Sequence, residues 1–100
     1  MTKVLNNKAL AERKIRLGIT RTGFYVSKPL QRWLEVGSFD IVDKEDGFYI
    51  VPSADPKAIQ ITSSHFAPAS GVARFLLQSF GHPDATYISF LVDRKTGKIG

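Results

Sequence analysis

The chain has 100 residues, 43% hydrophobic and 11% aromatic, which is enough for a packed core and too apolar for a disordered chain. It has no cysteine, which excludes disulfides and thiolate metal sites, and it has no apolar run near the roughly 18–20 residues of a membrane span. Its formal charge is +5, and a cytosolic location is the default, because the polar start "MTKVLNNKALAERK" lacks the apolar stretch of a signal peptide.

The charge is uneven. Residues 1–32 hold eight Lys and Arg against one acid, Glu12. Residues 33–56 hold one Lys against six acids, Glu35, Asp40, Asp43, Glu45, Asp46 and Asp55. A basic third of this kind suits a polyanion, most often nucleic acid. The plain alternative is a solvated charged face with no partner.

Residues 1–14 read as an N-terminal arm or a short helix. From Lys14, "KIRLGIT" alternates Ile15, Leu17 and Ile19 against polar positions, the period of a half-buried strand. Arg16 then faces outward, and Gly18 marks a bulge or a close backbone approach. Gly23 in "RTG" stands where a turn takes a positive φ, and "FYVS" returns as a strand. Ser27 is placed to cap a helix with its hydroxyl, Pro29 suits the first turn, and Gly37 is placed to end it. "SFDIVDKEDGFYIVPS" predicts a hairpin about Asp46-Gly47. A soft boundary follows at 52–57. Beyond it come a short strand "KAIQIT", a helix with Val72, Phe75, Leu76 and Phe80 on its apolar face, and a strand "ATYISFLV" ending in a turn at Thr96-Gly97.

These elements predict an α+β fold, mainly antiparallel strands with two short helices near 28–36 and 69–80. A hairpin–helix–hairpin unit spans 15–52, and a strand–helix–strand unit at 57–100 packs on it. "LQRWL" at 30–34 matches "VARFL" at 72–76 in type, so the second unit is also readable as a degenerate copy of the first. The expected core is Trp33, Leu34, Ile41, Phe48, Ile50, Phe75, Leu76 and Ile88.

The search for catalysis is short. His65 and His82 are scattered, no "GxSxG" elbow exists, and no nucleophile is paired with a base, so no enzyme is expected. Two histidines do not make a metal site, "DKEDG" lacks the spacing of a calcium loop, and no phosphate loop or dinucleotide fingerprint is present, so neither metal nor cofactor is expected. Aromatics beside basic residues can stack on unpaired bases. Trp33 and Phe48 fit core spacing better. Tyr25 and Tyr49, pointing opposite to their neighbours, are the candidate base or partner contacts.

"ITRTGFYVSKPLQRWLEVGSFDIVDKEDGFYIVP" resembles the AbrB/MazE-type swapped-hairpin DNA-binding domains. Thr20-Arg21-Thr22-Gly23 stands at their Thr-basic-x-Gly turn, and Lys28 and Arg32 stand at the usually basic helix positions. Leu30, Leu34 and Val36 stand at the apolar ones. The chain departs from the pattern at Ser27, where the family usually has proline, and in a segment one residue short before the helix. The resemblance covers residues 15–52. It implies a homodimer of interleaved hairpins that presents basic strands and turns to duplex DNA.

The leading expectation is therefore a DNA-binding protein, a transcriptional regulator or antitoxin-like module. Its contacts to phosphates would be Arg13, Lys14, Arg16, Arg21, Lys28 and Arg32, with the acidic turn Asp43–Asp46 on the far side. Two other readings stay open. One is a small protein–protein interaction or inhibitor protein of microbial or phage origin, docking through the apolar helix. The other is a single-stranded nucleic-acid binder.

Overall fold

A computed structural model describes residues 15–100. The arm expected at 1–14, with Arg13 and Lys14, lies outside the described residues. Eight strands follow in chain order: β1 (Ile15–Thr20), β2 (Gly23–Val26), β3 (Ser38–Lys44), β4 (Gly47–Pro52), β5 (Ile59–Gln60), β6 (Phe66–Pro68), β7 (Tyr87–Val92) and β8 (Lys98–Ile99). Helix α1 (Lys28–Leu34) lies between β2 and β3, and α2 (Ser70–Ser79) between β6 and β7.

All eight strands form one antiparallel sheet in the order β5-β3-β4-β8-β7-β1-β2-β6. The expected α+β class is corrected by this topology. Strands take 42% of the described residues against 20% for the helices, and the sheet curls into a nearly closed barrel. Its edge strands, β5 and β6, are neighbours in sequence, and the turn between them is held by Thr62 N–H donating to the Phe66 carbonyl at 3.0 Å. Curling a sheet until its edges meet protects them from other chains. Both edges of each hairpin are taken up within the chain: β1 by β7, β2 by β6, β3 by β5 and β4 by β8.

Alternation sorts side chains as it should. Ile15, Leu17 and Ile19 of β1 point into the barrel with Phe24 and Val26 of β2, Phe39 of β3 and Ile50 of β4. Leu30 and Leu34 of α1 and Ala73, Leu76 and Leu77 of α2 complete the core. The expected core holds for Leu34, Ile50 and Leu76. Trp33, Ile41, Phe48 and Ile88 pack on its margin, and Phe75 does not belong to it, being 53% exposed. The spacing admitted two faces for α2. The helix turns Ala73, Leu76 and Leu77 inward, which leaves Val72 and Phe75, three residues apart, on the outer side.

Three local expectations are revised. Ser27 does stand at the N-cap of α1, but its hydroxyl makes no cap bond and donates instead to the Arg16 carbonyl at 3.4 Å. The helix ends at Glu35, whose left-handed φ of 65° makes it the C-cap two residues before Gly37. Gly23 is not left-handed. A side chain there would strike the Ala67 carbonyl of β6, so the residue is small for closeness to that strand.

The acidic turn is also placed differently. Antiparallel pairing across the order above makes β1 and β3 run the same way, so both hairpin turns leave at one end of the barrel. Ala69 N–H donates to the Thr22 carbonyl at that end, and Asp43 lines a cleft with Gly71, two residues on. The acidic and basic turns thus share an end.

Because Leu76 is sealed and Phe75 is half in water, Leu76→Ala should cost roughly 2–5 kcal/mol and Phe75→Ala far less. Urea unfolding of the two variants checks this; equal losses would place α2 in a different rotation.

Candidate nucleic-acid interface

The outward face of β6-β2-β1-β7 is built in rows across the strands. Register pairs Phe66 with Tyr25, Tyr25 with Gly18 and Gly18 with Ser89, so these four lie side by side. In the row toward the hairpin turn, Thr20 pairs with Tyr87; in the row away from it, Arg16 pairs with Leu91. Outward alternation leaves Tyr25 47%, Tyr87 52% and Leu91 47% exposed.

Three rings gather here. Tyr25 meets Phe66 with centroids 5.2 Å apart and Tyr87 at 5.8 Å, both edge to face. The distances suit aromatic contact. Gly18 makes the arrangement possible. A methyl group on it would lie 2.7 Å from Tyr87 Cε2 and 2.9 Å from the Tyr87 hydroxyl, so the absent side chain is the space Tyr87 occupies. The expected bulge or close backbone approach at Gly18 is thus corrected: what lies against it is a side-chain ring.

The same face forms a shallow groove of about 300 Å³, lined by Arg16, Gly18, Tyr25, Ser27, His65 and Tyr87 among others. Basic residues extend it in two directions. Arg21, at the tip of the β1–β2 turn, is exposed and donates from Nη2 to the Asp84 carbonyl at 3.0 Å, which ties it to the loop before β7. Lys28 and Arg32, one helical turn apart on α1, are both exposed beyond the Arg16 row.

Of the expected site residues, Arg16 and Tyr25 come together on this face, Arg21 stands at its upper edge, and Lys28 and Arg32 lie past its lower edge. Tyr49 does not join them. It is 8% exposed, and its hydroxyl donates to Asp46 Oδ2 at 2.7 Å while Lys44 Nζ lies 4.4 Å from its ring centroid. Pointing away from Phe48 and Ile50 did not mean pointing into water, because the acidic turn and Lys44 fold over the ring.

Tyr87, Phe66 and His65 are the contributors that sequence reasoning missed. Tyr87, Ser89 and Leu91 alternate with Ile88, Phe90 and Val92, so an outward Tyr87 was readable from "ATYISFLV". Its place beside Tyr25 was not, since the β1–β7 pairing joins residues some seventy positions apart. His82 is exposed after α2 and far from the face in sequence. Among the described residues no group of three or more His, Cys, Asp or Glu could hold a metal ion, and no helix is long and apolar enough to cross a membrane.

Compared with protein-family models, curated proteins and solved structures, the chain finds no match.

Two predictions follow from local geometry. Gly18→Ala should push the Tyr87 ring off the sheet, and the loss of Tyr25–Tyr87 ring contacts in an NMR spectrum would report it; contacts left intact would show that the ring tolerates the methyl. The second concerns the Asp46 carboxyl. Its hydrogen bond from Tyr49 holds its pKa below the usual 3.8, with Lys98 and Lys44 assisting. A carboxylate depressed in the folded state adds stability that is present above 3.8 and lost as pH falls through its folded value. The stability difference between wild type and Asp46→Asn should therefore shrink on acidification below that range, as measured by thermal unfolding at pH 7 and at successively lower pH.

Proposed function

We propose that this protein binds nucleic acid, and that the strand it binds is single, laid across the outer face of β2, β1 and β7. The observation that carries the reading is the ring cluster in which Tyr25 and Tyr87 are exposed and half-buried Phe66 backs Tyr25, with Arg16 one row from Tyr25. Unpaired bases stack on aromatic faces without regard to sequence, and a neighbouring cation meets the backbone that links them. A duplex hides the faces of its bases, so it would use the arginines and leave the rings idle.

The chemistry is binding alone. Stacking on a ring contributes about 1–3 kcal/mol per base, and each phosphate contact adds salt dependence. Arg16 and Arg21 are the phosphate contacts on the face; strand alternation points to Arg16, and Arg21 stands at the turn that the swapped-hairpin resemblance implies. The two nucleic-acid readings therefore differ in what the tyrosines do. One chain carries the whole ring cluster, and a homodimer would double it.

A second reading rests on a different observation. Val72 and Phe75 are exposed beside Ile41 and Phe48 in a cleft of about 290 Å³. Exposed apolar surface of this kind suits a protein partner.

The test is a titration with labelled single-stranded DNA, against unlabelled duplex and RNA as competitors, with mass by light scattering alongside. Tyr25→Ala and Tyr87→Ala should each weaken binding by roughly 5- to 150-fold, the equivalent of one stacked base. Arg16→Ala should lower the slope of log affinity against log salt by about 0.7. Duplex competing as well as single strands, with the tyrosine variants unchanged, would return the site to the duplex reading. No binding at all, with Phe75→Ser the only variant to alter association, would favour the protein-partner reading.

A further inference from the structure

The ring cluster occupies only part of the basic surface, and a second cavity lies beyond it. At the opposite end of the barrel from both hairpin turns, a cleft of about 310 Å³ is lined by Ile15, Pro29, Arg32, Trp33, Glu35 and Arg94. We propose that this cleft is a second subsite for the same strand, seating a phosphodiester on Arg32 and Arg94 against the Trp33 ring. The inference rests on the single-strand reading above and specifies how far the strand runs and in which direction.

Continuity is the first argument. The groove beside the rings includes Arg16 and Ser27, and the cleft includes Ile15 and Pro29. Each pair is adjacent or nearly so in the chain, and the Ser27 hydroxyl bonds to the Arg16 carbonyl where the two sites meet. Exposed Lys28 stands between Ser27 and Pro29. From Ser89 in the ring row to Arg94 is five residues, at most about 17 Å along an extended strand. A strand leaving the rings by Arg16 therefore passes Lys28 and reaches the cleft.

Direction is the second argument. Asp43, Glu45 and Asp46 are exposed at the end of the barrel that carries the hairpin turns. They repel a polyanion there, whereas Arg16, Lys28, Arg32 and Arg94 lie toward the other end. The field thus draws the strand from the rings toward the cleft.

Preorganisation is the third. Trp33 is held at two points. Its Nε1–H donates to the Arg94 carbonyl at 2.9 Å, and its Cη2 lies against Gly97, where a methyl would be 3.1 Å away. A ring fixed in this way loses little freedom when a ligand covers it.

The experiment compares fluorescein-labelled oligothymidylates of three and twelve nucleotides on the full chain, with Trp33 as the reporter, since it is the single tryptophan. The trinucleotide can fill the rings; only the longer strand can also reach the cleft. Wild type should bind the longer strand with a steeper salt slope, and only that strand should change the Trp33 emission. Arg32→Ala, at an exposed position, should lower the slope for the longer strand by about 0.7 and leave the shorter one unchanged. Arg32→Lys should restore most of the slope. If the longer strand binds in a Tyr25-dependent way but leaves Trp33 emission and the Arg32→Ala slope untouched, the second subsite is overturned and the ring site stands. Equal slope losses for both lengths would likewise overturn it, as a general effect of charge. If neither oligonucleotide binds, the single-strand reading itself fails.

Discussion

The continuity of the sheet passes through Ile99. One pair, Val92 with Ile99, joins β7 to β8, and two pairs, Phe48 with Ile99 and Tyr49 with Lys98, join β8 to β4. Everything on one side of this neck is the β1–β2 hairpin with β6 and β7; everything on the other is the β3–β4 hairpin with β5. Ile99 is 2% exposed, so its side chain fills the core where its backbone splices the sheet. The turn that delivers it is constrained too. Gly97 has a φ of 82°, its carbonyl accepts from Ile50 N–H at 2.9 Å, and a side chain on it would strike the Ile50 carbonyl. A chain that could not make this turn would leave one edge of β4 and one edge of β7 bare.

The ring face stands on a longer ladder. β7 lies beside β1 through six pairs, and Tyr87 reaches Gly18 only while β7 is in register with β1. A shift of one residue would send Tyr87, Ser89 and Leu91 into the barrel and Ile88, Phe90 and Val92 into water. The inward set packs on the core, so the hydrophobic effect that fills the barrel also fixes the tyrosines outside it.

Charge is distributed along the barrel in keeping with this architecture. Parallel directions for β1 and β3 bring both hairpin turns to one end, and the exposed acids of the second turn collect there. The cations on β1 and α1 extend toward the other end. The same topology leaves Phe75 and Val72 on a face separate from the rings, so the molecule has two distinct surfaces that differ in chemistry: one aromatic and basic, one apolar and rimmed by Asp43.

Much of this was legible in local pattern. The strand at Ile15, the hairpin about Asp46-Gly47, both helices and the outward positions of Arg16 and Tyr25 follow from periodicity and turn chemistry, because those are properties of neighbours in the chain. The barrel was not legible. β6 and β8 are only three and two residues long, too short to show a period, yet they complete the sheet. The rotation of α2 was ambiguous, since Val72 and Phe75 and the pair Ala73 and Leu77 both fit helical spacing, and only contact with β1 and β2 chose between them. Tyr49 looked like Tyr25 in sequence and became its opposite, because Lys44 and Asp46 fold over its ring, whereas Tyr25 sits between Phe66 and Tyr87 and stays about half in water. The amino-acid sequence by itself determined which residues are apolar, basic or aromatic and how each strand alternates; partners in the sheet, and therefore which rings and cations stand together, were decided only in three dimensions, where contacts between residues some seventy positions apart balance burial against register.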